Sequence, residues 1–166
     1  ASVLAILAFD HIRIRIRAWW DPFQFFDSDG YQLVQGLYAV ADGGPWGRGW
    51  LLGRPQVIPE AHTDFVFAIF AEEFGFIGTL VILGLFVGLV GRILAIGRHA
   101  ELTSRRFHAF VAYGVAMMIS AQAFINMGVN TGLLPTKGLT LPFFSYGGSS
   151  LMVCMAMVAL VARIER

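Results

Sequence analysis

The stretch FHAFVAYGVAMMISAQAFINMGVNTGLLPT, residues 107–136, decides the fold. Thirty residues pass with only His108 able to carry a charge. An uncharged, largely apolar run of 18 residues or more has the length of a membrane-spanning helix. Two further runs of this kind flank it, Phe74–Gly91 and Gly138–Ala162. The whole chain of 166 residues is 57% hydrophobic and 14% charged, where soluble domains carry roughly 45–50% and about 25%. One such run fits inside a soluble core, but three do not. The sequence predicts an all-α integral membrane protein, a polytopic helical bundle.

Working outward, Phe107–Leu133 reads as one span, with Gly132 and Pro135 as stop signals. Phe74–Ile96 reads as another, its Gly84 and Gly88 at the small-xxx-small spacing of close helix contact. Gly97–Arg106 (GRHAELTSRR) is a short charged loop between them. Leu134–Gly148, rich in Gly and Pro, is a loop, and Ser149–Arg166 is the last span and its tail, anchored by Arg163 and Arg166. Ala1–Phe9 reads as the end of a fourth span rather than as a signal peptide. Asp10–Glu73 is then a large loop containing short helices. Its stretch from Asp10 to Asp64 holds five arginines and seven of the eleven acids. Gly30–Ala41 has helical apolar spacing suited to an interface, and Trp19, Trp20 and Trp46 suit headgroup depth.

Parity places the Asp10–Asp64 and Leu134–Gly148 regions on one side of the membrane. Charge does not say which side, since six basic residues fall on each. Net charge is +1, which gives no basic field for nucleic acid. The single Cys154 excludes an internal disulfide and a cysteine-based zinc site. The glycines of Gly44–Gly49 lack the G-x-G-x-x-G spacing and the βαβ setting of a nucleotide loop.

Two clusters carry the candidate chemistry. The first is Pro59-Glu60-Ala61-His62-Thr63-Asp64. A helix starting at Pro59 puts Glu60 and Asp64 on one face, with Asp64 where polar sequence gives way to membrane. A carboxylate there is solvated, paired or functional. His62 reads as a base, a ligand or a hydrogen-bonding surface residue. Glu72 and Glu73, deeper, suit a structural pairing with an arginine. The second cluster is Thr136-Lys137-Gly138 with Ser145-Tyr146-Gly147-Gly148-Ser149-Ser150. Lys137 is the only lysine, a point charge that either meets a phosphate or snorkels. The glycines before Ser149 make either a generic anion site or a capped helix start. Gln122 and Asn126, one turn apart in an apolar span, suit bonds to neighbouring helices.

The strings PEAHTDFVFA, with its continuation to Phe76, and NMGVNTGLLPTKGLTLPFFSYGGSS, Asn126–Ser150, resemble the SEDS family, the FtsW/RodA-type membrane glycosyltransferases of bacterial shape, elongation, division and sporulation. RIRIRAWWDPFQFFDSDGY, Arg13–Tyr31, is similar to the segment that opens the family's large extracytoplasmic loop. Thr136-Lys137-Gly138 resembles the division-type branch. The likeness covers essentially the whole chain. It departs at Gly53-Arg54-Pro55-Gln56-Val57, where the family often has Ser and Lys, and at Asp42-Gly43-Gly44-Pro45, where small residues are usual.

The resemblance implies about ten spans in the family, of which this chain is the C-terminal part. Asp10–Glu73 and Leu134–Gly148 then lie outside the cytoplasm, and Gly97–Arg106 and the C-terminus inside. It implies a multi-pass protein of the bacterial cytoplasmic membrane at the division site. The implied activity is polymerisation of lipid II into peptidoglycan strands, with Asp64 as general base. Lys137, Arg48 and a divalent cation, Mg²⁺ or Mn²⁺, are candidates for neutralising the departing diphosphate, with no organic cofactor. Glu60, His62, Thr63, Ser145 and Ser149 are candidate substrate contacts. Implied partners are the nascent glycan strand, a class B penicillin-binding protein and other division proteins. Two other classes fit the same residues: a lipid II flippase, which forms no bond and requires no base, and a non-enzymatic scaffold that recruits a transpeptidase.

Overall fold

The computed structural model describes residues 10–28, 30–58 and 62–165. Ala1–Phe9, Glu60 and Arg166 lie outside them. Among the described residues five α-helices follow in order: α1 (Asp10–Trp20), α2 (Tyr31–Gly43), α3 (Val66–Leu102), α4 (Arg106–Asn130) and α5 (Gly148–Glu165), with a 3₁₀ turn at Pro55–Val57 before α3. No strand occurs among the described residues. The helices α3, α4 and α5 are long and apolar enough to cross a membrane.

The centre of the bundle is the pair α3 and α4. On α4 the buried Ala109, Ala112, Ala116, Ile119 and Ala123 recur every three or four residues, and they meet Ile82, Phe86, Ile93, Ile96 and Ala100 of α3. Small side chains on one helix let the other approach closely, which supplies association where lipid removes the hydrophobic drive. At one end Tyr113 Oη donates to Glu101 Oε2 at 2.8 Å, and an Arg92–Glu165 ion pair ties α3 to α5. Cys154 is buried on α5 as a small apolar filler.

Three expectations change. Helix α3 starts at Val66 and ends at Leu102, beyond the expected Phe74–Ile96 on both sides. Charge does not break a helix: His99, Ala100 and Glu101 continue it, and the chain turns only at Thr103–Arg105, where Ser104 takes φ 62°. Second, Asp64 is not in a helix: it sits in a turn and Phe65 is the residue before α3, while the expected helix start at Pro59 lies outside the described residues. Third, a side chain added at Gly84 or Gly88 would meet nothing within 4 Å, so these glycines make no helix contact among the described residues.

The largest feature not expected is a break inside α3. Gly75 has φ 65° and ψ −164°, which interrupts the helical ladder and frees carbonyls before it and N–H groups after it. The loop after α2 satisfies both sets. Arg48 N and Gly49 N donate to the Glu72 and Glu73 carbonyls at 2.9 and 3.0 Å, and Phe76 N and Ile77 N donate to the Gly44 and Pro45 carbonyls at 2.8 and 3.2 Å. Beside this joint Glu72 is 2% exposed. Its Oε1 accepts from Arg48 Nη1 at 3.1 Å and its Oε2 from Arg54 N at 3.1 Å. Arg48 also lies 3.5 Å from Asp42. Glu72→Ala removes the carboxylate that accepts two charge-assisted bonds and is expected to cost about 1–3 kcal/mol, read as a lower melting temperature in detergent.

Candidate active site

The site is organised by the C-terminal turns of α4, which present Gln122, Asn126 and Asn130 at intervals of four along one face. Each amide bonds to a loop carbonyl rather than to a neighbouring helix side chain. Gln122 Nε2 donates to Thr140 O at 2.9 Å. Asn126 Nδ2 donates to Leu139 O at 2.6 Å and to Asp64 O at 2.9 Å. Asn130 Nδ2 donates to Asp64 O at 2.9 Å, and its Oδ1 accepts from Ala68 N at 3.1 Å. The turn at Asp64 and the loop after α4 are thus gathered onto one helix end. Further bonds close the arrangement: Tyr146 N to His62 O at 2.8 Å, Trp19 Nε1 to Gly132 O at 2.8 Å and Arg15 Nη1 to Thr136 O at 3.5 Å. The two polar regions that parity assigned to one side are in direct contact.

Where they meet is a cavity of about 390 Å³ lined by Arg15, Ser28, Tyr31, Gln32, Asp64, Phe65, Thr136, Lys137 and Gly138. Asp64 is half-buried and Lys137 exposed. A Cβ at Gly138 would sit 3.1 Å from Asp64 Oδ2, so the missing side chain lets the carboxylate lie against the lysine-bearing loop. The cavity wall therefore combines one carboxylate with two cations, Lys137 and Arg15. An acid in this setting can accept a proton, and the cations can hold a polyanion.

His62 and Ser145 line a second cavity of about 620 Å³ with Phe143, Phe144, Tyr146 and Leu151. Ser145 Oγ accepts from Leu141 N at 2.7 Å, which occupies it in shaping the loop. Thr63 lies half-buried between His62 and Asp64, and Ser149 is exposed in the first turn of α5. Arg48 does not join Asp64 and Lys137: it is held at the break in α3 by Glu72 and Asp42. No group of three His, Cys, Asp or Glu able to hold a metal occurs among the described residues. The donor set of one carboxylate flanked by two cations does not by itself fit Mg²⁺ or Mn²⁺, which prefer several hard oxygen ligands.

Sequence reasoning missed Arg15, Ser28, Tyr31 and Gln32 as cavity walls, and Asn130. Arg15 is one of three alternating arginines, and nothing local sets it apart. Asn130 carried a usable signal, since it repeats Asn126 one turn on in an apolar span.

A family model described as "Cell cycle protein", that of FtsW, RodA and SpoVE, matches residues 1–166. The chain belongs to the FtsW/RodA/SpoVE family. Among its FtsW relatives, a protein of Halomonas elongata named "Probable peptidoglycan glycosyltransferase FtsW" is 50% identical over 155 residues, 91% of this chain and 39% of the relative. One of Coxiella burnetii with the same name is 46% identical, covering 98% and 44%. The chain thus spans about two-fifths of the length of these curated relatives. A solved structure described as "Structural coordination of polymerization and crosslinking by a peptidoglycan synthase complex" matches at TM-score 0.76 and 34% identity, over 99% of this chain and 46% of that one. A Thermus thermophilus rod shape determining protein RodA, crystallised with one aspartate replaced by alanine, matches at TM-score 0.59 and 38% identity, over 80% and 41%. The names of these relatives agree with the FtsW branch of the family.

Proposed function

We propose that this chain is part of a peptidoglycan glycosyltransferase that polymerises lipid II during division in the bacterial cytoplasmic membrane, with the 390 Å³ cavity open to the outside. The observation that carries the reading is the placement of Asp64, Lys137 and Arg15 around that one cavity. The names of the FtsW relatives support the activity. In the proposed step, Asp64 takes the proton from the acceptor sugar 4-hydroxyl as that oxygen bonds to the anomeric carbon of the donor. The bond from that carbon to the diphosphate breaks with inversion, and the diphosphate leaves with the electron pair. Lys137 and Arg15 neutralise its charge, and the cavity aligns the two sugars. No step is routed through a divalent cation. The neighbour described as a peptidoglycan synthase complex supports a crosslinking partner, here a class B penicillin-binding protein.

Purified full-length protein given lipid II is expected to form glycan strands resolvable on a gel. Transfer of lipid II between leaflets without polymer would reject the reading in favour of a flippase. Arg15→Ala and Lys137→Ala each remove a hydrogen bond to a charged group, worth about 1.5–3 kcal/mol, so each should lower kcat/KM for lipid II by roughly 10–100-fold.

A further inference from the structure

Asn126 and Asn130 are 2% and 0% exposed, and the chemistry proposed for Asp64 does not itself call on them. A primary amide is costly to bury unless its donors and acceptor are all met. Here they are met by one particular set of groups. Both Nδ2 atoms lie 2.9 Å from the Asp64 carbonyl oxygen, which accounts for both of its lone pairs. The second N–H of Asn126 goes to Leu139 O at 2.6 Å, two residues beyond Lys137. Asn130 Oδ1 accepts from Ala68 N at 3.1 Å. It thereby caps the first turn of α3, whose own preceding residue, Phe65, makes no side-chain cap. Asn130 Nδ2 also lies 2.9 Å from Asn126 O, which links the pair along α4.

We infer that Asn126 and Asn130 are positioning residues that aim the Asp64 carboxylate and set its separation from the Thr136–Gly138 loop. A carbonyl held by two donors fixes the plane of the peptide that follows Asp64. Only the side-chain torsions then remain to direct the carboxylate, and Gly138 limits those from one side. Because one NH₂ group holds both the turn and the loop, the acid and Lys137 cannot drift apart independently. Buried packing alone would be met as well by apolar side chains of this size. What the amides add is a defined distance, and a misplacement of about 1 Å at a reacting group can reduce a rate by 100-fold.

The inference rests on Asp64 as general base, and the test separates the two. In the full-length protein, Asn126→Ala should lower kcat for lipid II polymerisation by roughly 30–100-fold. KM should stay within about threefold, because Lys137 and Arg15 keep their charges, and melting in detergent should fall by a few degrees as two buried bonds are lost, with the protein still folded at the assay temperature. Asn126→Ser, which keeps one donor, should fall between it and the parent in kcat. A proportionate rise in KM, an unchanged kcat, or a kcat lost only together with the melting transition would overturn the inference. So would failure of both variants to fold, which would make the pair a stability element. An Asp64→Asn protein that still polymerises at full rate would instead remove the base itself, a result independent of Asn126.

Discussion

Asp64→Asn in the full-length protein is expected to reduce strand synthesis from lipid II by roughly 10²–10⁴-fold, the range that general-base catalysis contributes. Asparagine has the size of aspartate and keeps a hydrogen-bonding head, but it cannot take up the acceptor proton. The fold should tolerate the change, because the main-chain carbonyl of residue 64, not its carboxylate, receives the Asn126 and Asn130 bonds. The expected signature is therefore loss of kcat with lipid II binding and thermal melting retained. The same variant sorts the three functional classes. A flippase forms no bond and would keep moving lipid II. A scaffold would keep recruiting its transpeptidase. Undiminished polymerisation would reject Asp64 as the base.

Gly75→Val should be the most damaging substitution outside the cavity. The φ 65°, ψ −164° conformation belongs to a region that is essentially glycine's alone, at about 1–3 kcal/mol for another residue. Space is the second obstacle: a Cβ at residue 75 would lie 2.3 Å from Gly47 N and 2.8 Å from the Pro45 carbonyl. Overpacking of this kind adds about 1–3 kcal/mol, so a loss of about 2–6 kcal/mol is expected in detergent unfolding. Gly84→Val is the control, since a Cβ there meets nothing within 4 Å, and its melting should shift far less.

What the residues disclosed in advance follows the range of the physics. Apolar run length depends on nothing beyond the run, so the three helices long and apolar enough to cross a membrane were legible. The Glu72–Arg48 pair was legible as a kind of contact, because a carboxylate deep in apolar sequence needs a cation. The break at Gly75 was not. In an apolar helix a glycine reads as a packing notch, and only the distant Gly43–Gly49 loop reveals it as a joint. Gly84 and Gly88 show the converse, having the notch spacing with no partner among the described residues. Asp64 and Lys137 stood out by where their charges fall in the sequence and the resemblance suggested their roles, but their shared cavity is seen only in the folded chain. Arg15 required the folded chain, because α1 reaches the loop after α4 across 121 residues.

The joint around Gly75 is written in peptide groups. Its four ties use the N–H of Arg48, Gly49, Phe76 and Ile77 and the carbonyls of Glu72, Glu73, Gly44 and Pro45. Every amino acid carries that carbonyl, and proline lacks only a donor that position 45 is not asked to supply. The acid and proline of Asp42-Gly43-Gly44-Pro45 can therefore replace the usual small residues without cutting the splice. Change along this loop is thereby confined to its outward side chains, Trp46 and Trp50 among them, because a Cβ at Gly43 or Gly47 would lie 2.0 or 2.1 Å from the carbonyl oxygen of Ala71 or Glu73.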